Sequence, residues 1–230
     1  MDLEEGRKRV VIEGVSPEID GGDFAVKRTE GEKVVVEADI FTDSHDLLTC
    51  VLLFRKEENR LWNAAAMEPL VNDRWRGAFQ VGETGRYRYT IKAWVDPFKT
   101  WRRDLRKKMD AGADISVDLL FGRELIEQAV SRADDEAAAR LKQYLATLAA
   151  EDREVERVTI ALGEELAGCM EVCPEKEFVT AYDNELPLVV EREKARFSTW
   201  YEMFPRSCAG RRGDHGTFED CERILPYVAS

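Results

Sequence analysis

The sequence lacks the common nucleotide-binding and nucleophile signatures. No G-x-x-x-x-G-K-[ST] loop wraps a phosphate, no G-x-G-x-x-G turn follows a strand, and no G-x-S-x-G elbow presents a serine. Histidine is nearly absent, with His45 in the polar loop TDSHD and His215 in GDHGTFED. Each reads most simply as a loop residue, with a ligand role the alternative for His215. No stretch approaches the ~18 consecutive apolar residues of a membrane span, and the N-terminal MDLEEGRKRV is charged throughout. The expected location is therefore cytoplasmic. Cysteine is sparse and odd in number: Cys50, Cys169, Cys173, Cys208 and Cys221. This pattern points to reduced thiols rather than a disulfide framework. Cys169 and Cys173, just ahead of Pro174, fit one face of a helix end. A zinc site there would need Cys208, His215 or Cys221 as further ligands, at a spacing that matches no familiar finger. Structural thiols are the preferred reading, and no metal or cofactor is expected.

A net positive charge is also lacking. The 46 acids outnumber the 34 Lys and Arg, for a net charge of −12. That balance argues against nucleic acid or an anionic membrane as partner, since both attract basic proteins. The hydrophobic share of 44% suffices for a core, and 230 residues suit one or two domains.

From Arg9 to Asp96 the pattern is strand-like. KVVVEADIF (33–41) is rich in β-branched residues, and TCVLLFRK (49–56) reads as a buried strand. In RWRGAFQ (74–80), Trp75, Gly77 and Phe79 alternate with Arg74, Arg76 and Ala78. In GRYRYTIKAWVD (85–96), Tyr87, Tyr89, Ile91, Ala93 and Val95 face one way, and Arg86, Arg88, Thr90, Lys92 and Trp94 the other. Turn signals such as Gly21-Gly22 and Asn72-Asp73 punctuate the runs. Short strands at this spacing predict an antiparallel β-sandwich of immunoglobulin-like architecture over 1–98.

The period then changes. Thr100 is placed to cap a basic helix, WRRDLRKKMD, with Gly112 just beyond it. Helical spacing continues over Ser116–Ala133, Asp134–Ala150 and 151–173, the last with a bend near Gly163. Residues 112–185 hold 18 acids and 7 bases, so most of the acidity sits in this block, which reads as a solvated bundle surface. Strand character returns at LPLVVEREKARF (186–197), with Leu188, Val190 and Arg192 on one face. The helical block, 99–185, is thus expected to be an insertion, with 186–197 rejoining the sandwich. The overall class is α+β.

Acids are too abundant to mark a glycosidase pair, and none stands in a distinctive context. Trp62, Trp75 and Trp94 are candidates for stacking on sugar rings, but the preferred reading is that they fill a core or a seam.

WYEMFPRS (Trp200–Ser207) resembles the first barrel strand and turn of the α-amylase superfamily. GTFEDCERILPYV (Gly216–Val228) looks like the helix that follows. Thr217 is placed at its cap, and Phe218, Cys221, Ile224 and Leu225 form an apolar stripe. RVVIEGVSPEIDGGDFAVKR, the HDLL and NDRW segments, GRYRYTIKAWVDPFKTWRRDL and ELPLVVEREKARFSTWYEMFPRS narrow the likeness. They are similar to the N-terminal region of the maltose-1-phosphate-dependent α-1,4-glucan maltosyltransferases.

That resemblance implies a parent enzyme that moves maltosyl units from maltose 1-phosphate to an α-1,4-glucan. It retains configuration through a carboxylate nucleophile and a separate acid/base. It also implies an N-terminal sandwich, a helical insert, a catalytic (β/α)₈ barrel and a homodimer. Residues 198–230 would begin that barrel, and only one strand–helix unit of it is present. The family's nucleophile, acid/base and phosphate-binding residues carry over to no position here, no cofactor residue is expected, and substrate-binding residues are left unassigned. The chain alone is expected to be inactive, with a scaffolding and dimerisation role. The alternatives are a glucan-binding module, or the N-terminal region of an α-amylase-type hydrolase.

Overall fold

Apolar alternation selects the inner faces of the strands. The computed structural model describes residues 8–150, 153–176 and 178–229, which fall into two compact units, Met1–Glu191 and Arg192–Ser230. The first unit opens with β1 (Val10–Ser16), β2 (Val26–Thr29), β3 (Lys33–Thr42), β4 (Leu48–Lys56), β5 (Asn63–Ala66), β6 (Glu68–Pro69), β7 (Arg74–Gln80) and β8 (Gly85–Val95). After a helical block come β9 (Thr180–Ala181) and β10 (Leu186–Glu191). One sheet has the order β1-β3-β7-β6, and the other β2-β10-β8-β4-β5 with β9 also on β8. The β10–β2 pair is parallel, and the other strand pairs are antiparallel. The class is mixed α and β, with two sheets.

The sheets share one core. Val34, Val36, Ala38 and Ile40 from β3 are enclosed with Leu52, Tyr89, Ile91, Ala93 and Leu188. Gly77 lets the sheets approach: a β-carbon there would lie 2.8 Å from Met67 Cγ and 3.2 Å from Leu52 Cβ. The one polar atom of Tyr89 is satisfied, since its hydroxyl donates to the Pro17 carbonyl. Trp94, which alternates onto the same strand face as Arg86 and Lys92, is only 4% exposed. The pleat places it on that face, but the helical block covers that end of the strand, and neither core cluster includes it.

The chain enters the helices at α1 (Pro97–Asp110). Asp96, not Thr100, is its cap: the Lys99 N–H donates to Asp96 Oδ1 at 2.9 Å. Pro97 tolerates the first turn because its missing N–H would be unpaired there anyway. Thr100 instead lies inside the helix, donating to the Asp96 carbonyl and accepting from the Leu47 N–H at 2.8 Å. Next come α2 (Ser116–Val130) and α3 (Asp135–Leu148), the latter capped by Asp134, which accepts from the Ala137 N–H at 2.9 Å.

Helical spacing over 151–173 proves to be two helices, α4 (Glu154–Ala161) and α5 (Glu164–Val172). Residues 151 and 152 lie outside the described residues. The break falls at Gly163, which turns extended and starts α5. Arg102 donates to the carbonyls of Leu162 and Gly163 at 2.6 and 3.2 Å, bracing the break, while the Gly163 carbonyl also accepts from the Ala167 N–H of α5. Trp101, Leu105, Leu119, Ile126, Leu141, Leu148 and Leu166 form the second core.

β10 pairs with β8 on one side and β2 on the other, burying Leu186, Leu188 and Val190. The strand ends at Glu191, so Arg192 is off it and exposed. Residues 193–196 form a 3₁₀ turn.

In the second unit, Trp200–Phe204 belongs to no ladder among the described residues, contrary to its strand-like sequence. A ladder needs a neighbour for its amides and carbonyls, and none of the described residues supplies one. Pro205–Ser207 forms a 3₁₀ turn, and α6 spans Phe218–Val228. Thr217 caps α6 in a reciprocal box with Asp220, as its sequence position indicates. The apolar stripe of α6 is not buried: Phe218 is 81% exposed.

Candidate functional site

A cleft of about 940 Å³ lies within the first unit, where the end of the sheets meets the helices. Its sheet side comes from the β3–β4 connection, the β6–β7 turn and the end of β8. Its helix side comes from α1, α2, α5 and the Cys173–Lys176 segment. The β8–α1 junction sets its shape. Asp96 accepts from the Lys99 N–H and from Thr49 Oγ1 at 2.7 Å, and Lys99 Nζ donates to Thr49 Oγ1 at 2.8 Å. Strand β4, strand β8 and helix α1 are therefore tied together at the cleft floor.

The lining is apolar with a balanced polar border. The carboxylates are Asp46, Asp73, Asp96, Glu171 and Glu175, against the cations Lys99, Arg102, Arg132 and Lys176. Cys50 also borders it, but burial pushes its thiol up to about 12, so it is a neutral core thiol and no nucleophile. Trp75 is half-buried, and its Nε1–H donates to the Ile40 carbonyl at 3.0 Å. Trp94 has the Lys176 ammonium 5.5 Å from its ring centroid. Among the described residues, Trp94 Nε1 and Arg102 Nε have no hydrogen-bond partner.

The sequence candidates separate. Trp75 and Trp94 meet at this cleft, whereas Trp62 lies elsewhere, half-buried with the Arg55 guanidinium 4.8 Å from its ring centre. His45 is exposed at the cleft border, its carbonyl accepting from Arg103. His215 is exposed in the loop before Thr217. Cys169 and Cys173 are buried in the helical core, and Cys208 and Cys221 belong to the second unit. Among the described residues no three His, Cys, Asp or Glu side chains gather to hold a metal. Nor is any described helix long and apolar enough to cross a membrane. Sequence reasoning missed Asp96, Arg102, Arg132 and Glu171 as cleft residues. Asp96-Pro97 carried a readable cap signal. Arg132 and Glu171 carried none, because only the packing of α2 and α5 brings them to the cleft.

Comparison with known proteins is consistent along the chain. Residues 8–192 match the family model described as alpha-1,4-glucan:maltose-1-phosphate maltosyltransferase, domain N/S. Proteins named alpha-1,4-glucan:maltose-1-phosphate maltosyltransferase are similar to it. The one from Chlorobaculum tepidum is 48% identical over 225 residues, covering 98% of this chain and 33% of its own length. Those from Myxococcus xanthus and Cereibacter sphaeroides are 43% and 41% identical, covering 95% and 96% of this chain and 34% and 37% of their own lengths. The chain thus spans about a third of the length of the curated relatives it matches. It belongs to the alpha-1,4-glucan:maltose-1-phosphate maltosyltransferase family and corresponds to that family's N-terminal domain N/S region.

Proposed function

We propose that this chain is the N-terminal scaffolding and dimerisation region of an enzyme that transfers maltosyl units from maltose 1-phosphate to α-1,4-glucans. The observation that carries the reading is the unequal coverage: 98% of this chain aligns with only 33% of the first relative. The surface agrees with it. Phe197, Trp200, Tyr201, Phe204, Phe218 and Tyr227 are all more than half exposed, an apolar load that a partner surface would cover.

Within this reading the two sheets form an immunoglobulin-like sandwich. Support comes from the strand order, in which β1, β3, β7 and β6 lie opposite β2, β10, β8, β4 and β5, with β2 parallel to β10. Residues 99–185 are a helical insertion, supported by β10 pairing with β8 across that gap. Residues 198–230 supply the first strand and helix of a (β/α)₈ barrel in which Trp200–Phe204 gains its neighbours. The enzyme works in the cytoplasm as a homodimer of the α-amylase superfamily.

Phosphate release from maltose 1-phosphate in the presence of maltoheptaose tests the reading. A longer protein that carries this chain releases phosphate, and the 230-residue chain does not. Release by the chain alone, or none by the longer protein, overturns it. A second reading, a glucan-binding module, is favoured by the meeting of Trp75 and Trp94 at one cleft.

A further inference from the structure

We infer that the cleft between the sheets and the helices is a binding site for an α-1,4-linked glucan chain. The inference rests on the family reading for its choice of sugar linkage, and on the cleft itself for its chemistry.

Size comes first. A cavity of about 940 Å³ is at the upper end of what small-molecule sites occupy, roughly 300–1,000 Å³. It accommodates a short oligosaccharide rather than a single ring.

Charge comes next. Five carboxylates and four cations border the cleft, and several are already committed. Arg102 holds the Leu162 and Gly163 carbonyls and pairs with Glu164 at 3.1 Å, and Asp96 caps α1. The cleft therefore offers no concentrated positive field for a phosphate. It offers dispersed donors and acceptors, which suit a neutral ligand with many hydroxyl groups.

Aromatic placement is the third point. Trp75 on β7 and Trp94 on β8 come from consecutive strands that belong to different sheets, and they converge on the same cavity. Indole faces pack against the C–H faces of pyranose rings and keep a polar edge for hydroxyls.

The fourth point is an unmet hydrogen-bonding need. Trp94 is 4% exposed, lines the cleft, and its Nε1–H has no acceptor among the described residues. Buried donors are normally paired, so this one calls for an oxygen acceptor. A sugar hydroxyl or ring oxygen fits. Lys176, now over the Trp94 ring, is on the connecting segment beyond α5, where its side chain can move aside and pair with Glu171 or Glu175.

The test uses the five tryptophans as separate reporters. Indole N–H resonances of the ¹⁵N-labelled chain are assigned through Trp→Phe variants and followed during titration with maltoheptaose. The Trp94 and Trp75 resonances are expected to shift saturably, while those of Trp62, Trp101 and Trp200 stay in place. Trp94→Phe keeps an aromatic face, though a smaller one, and removes the N–H donor, and should weaken binding about fivefold. Trp62→Ala should leave affinity unchanged. Should Trp94→Phe misfold, Glu171→Ala at the exposed rim takes its place and is also expected to weaken binding.

Failure of Trp94 and Trp75 to shift overturns the site. So does a shift confined to Trp62 or Trp200, or the same pair of shifts produced by inorganic phosphate or cellohexaose. Failure of the family reading is distinguishable, because it is read from phosphate release by the longer protein and not from these spectra.

Discussion

The indole of Trp101 lies so close to Gly122 that a β-carbon on Gly122 would sit 1.9 Å from Trp101 Cζ2. This contact lets α1 and α2 close around the helical core, and the Trp101 Nε1–H is satisfied by the Asp118 carbonyl at 2.7 Å. The ring is 4% exposed and cannot retreat into solvent. Gly122→Ala should therefore destabilise the chain by about 1–3 kcal/mol, the usual cost of overpacking a filled core. Urea unfolding followed by circular dichroism measures it. Gly168 is the control. It lies in α5 with open space around a new β-carbon. Gly168→Ala should stabilise by about 1 kcal/mol through helix propensity alone. Equal effects at the two glycines would contradict the packing account.

The helix entry gives a second expectation. Asp96 carries the α1 cap and also accepts from Thr49 Oγ1. Asp96→Ala removes both and should cost about 1–2 kcal/mol, within the range for lost caps. Asp96→Asn keeps an oxygen for the Lys99 N–H and should cost less. Thermal unfolding of the two variants beside the parent chain checks the order. If Thr100→Ala instead proves the more damaging, the cap has been misplaced.

Much of this architecture was legible in the residues themselves. Val34, Val36, Ala38 and Ile40 are buried because the β3 alternation put them on one face, and the same holds for Tyr87 to Ala93 on β8. Thr217 caps α6 because a Thr three residues before Asp220 can bond the first-turn amides reciprocally. Local pattern failed where tertiary neighbours decide. Trp94 alternates with surface residues, yet packing at the helical junction buries it. Trp200–Phe204 has a strand composition, but composition cannot form a ladder without a partner. The cleft was half legible. Trp75 and Trp94 stood out as aromatic candidates beside Trp62, and nothing in the spacing says which two would converge.

Alkaline pH should unfold the chain by a defined route. Burial raises the Cys50 thiol from 9.0 to about 12, and burial likewise raises the phenols of Tyr89 and Tyr182, the latter from 10.0 to about 12. These groups are neutral when protonated, so the native state retains protons that the unfolded chain releases. Their contribution is full below pH 9 and is lost as pH climbs toward 12. For Cys50 the loss is about 1.4 kcal/mol per pH unit across that window. Urea midpoints measured from pH 8 to 11 should fall with a slope that Cys50→Ala reduces between pH 9 and 10. An unchanged slope in that variant would remove Cys50 from the account.

The exposed surface of the second unit yields the last expectation. Trp200 is 94% exposed, Phe218 81% and Phe197 78%. Side chains of this size bury readily against each other when given a partner, each contributing roughly 1.5–3 kcal/mol if fully covered. The chain should therefore self-associate as its concentration rises, with Trp200 emission moving to shorter wavelength. A shortened chain ending at Glu191 should not associate, because the residues that gain from association are gone while the sheet and helical cores remain intact. Sedimentation velocity over a concentration series compares the two. Association that persists in the shortened chain would place the contact on the sheets or helices of the first unit. It would then be a property of the scaffold itself, and the apolar tail would be a bystander.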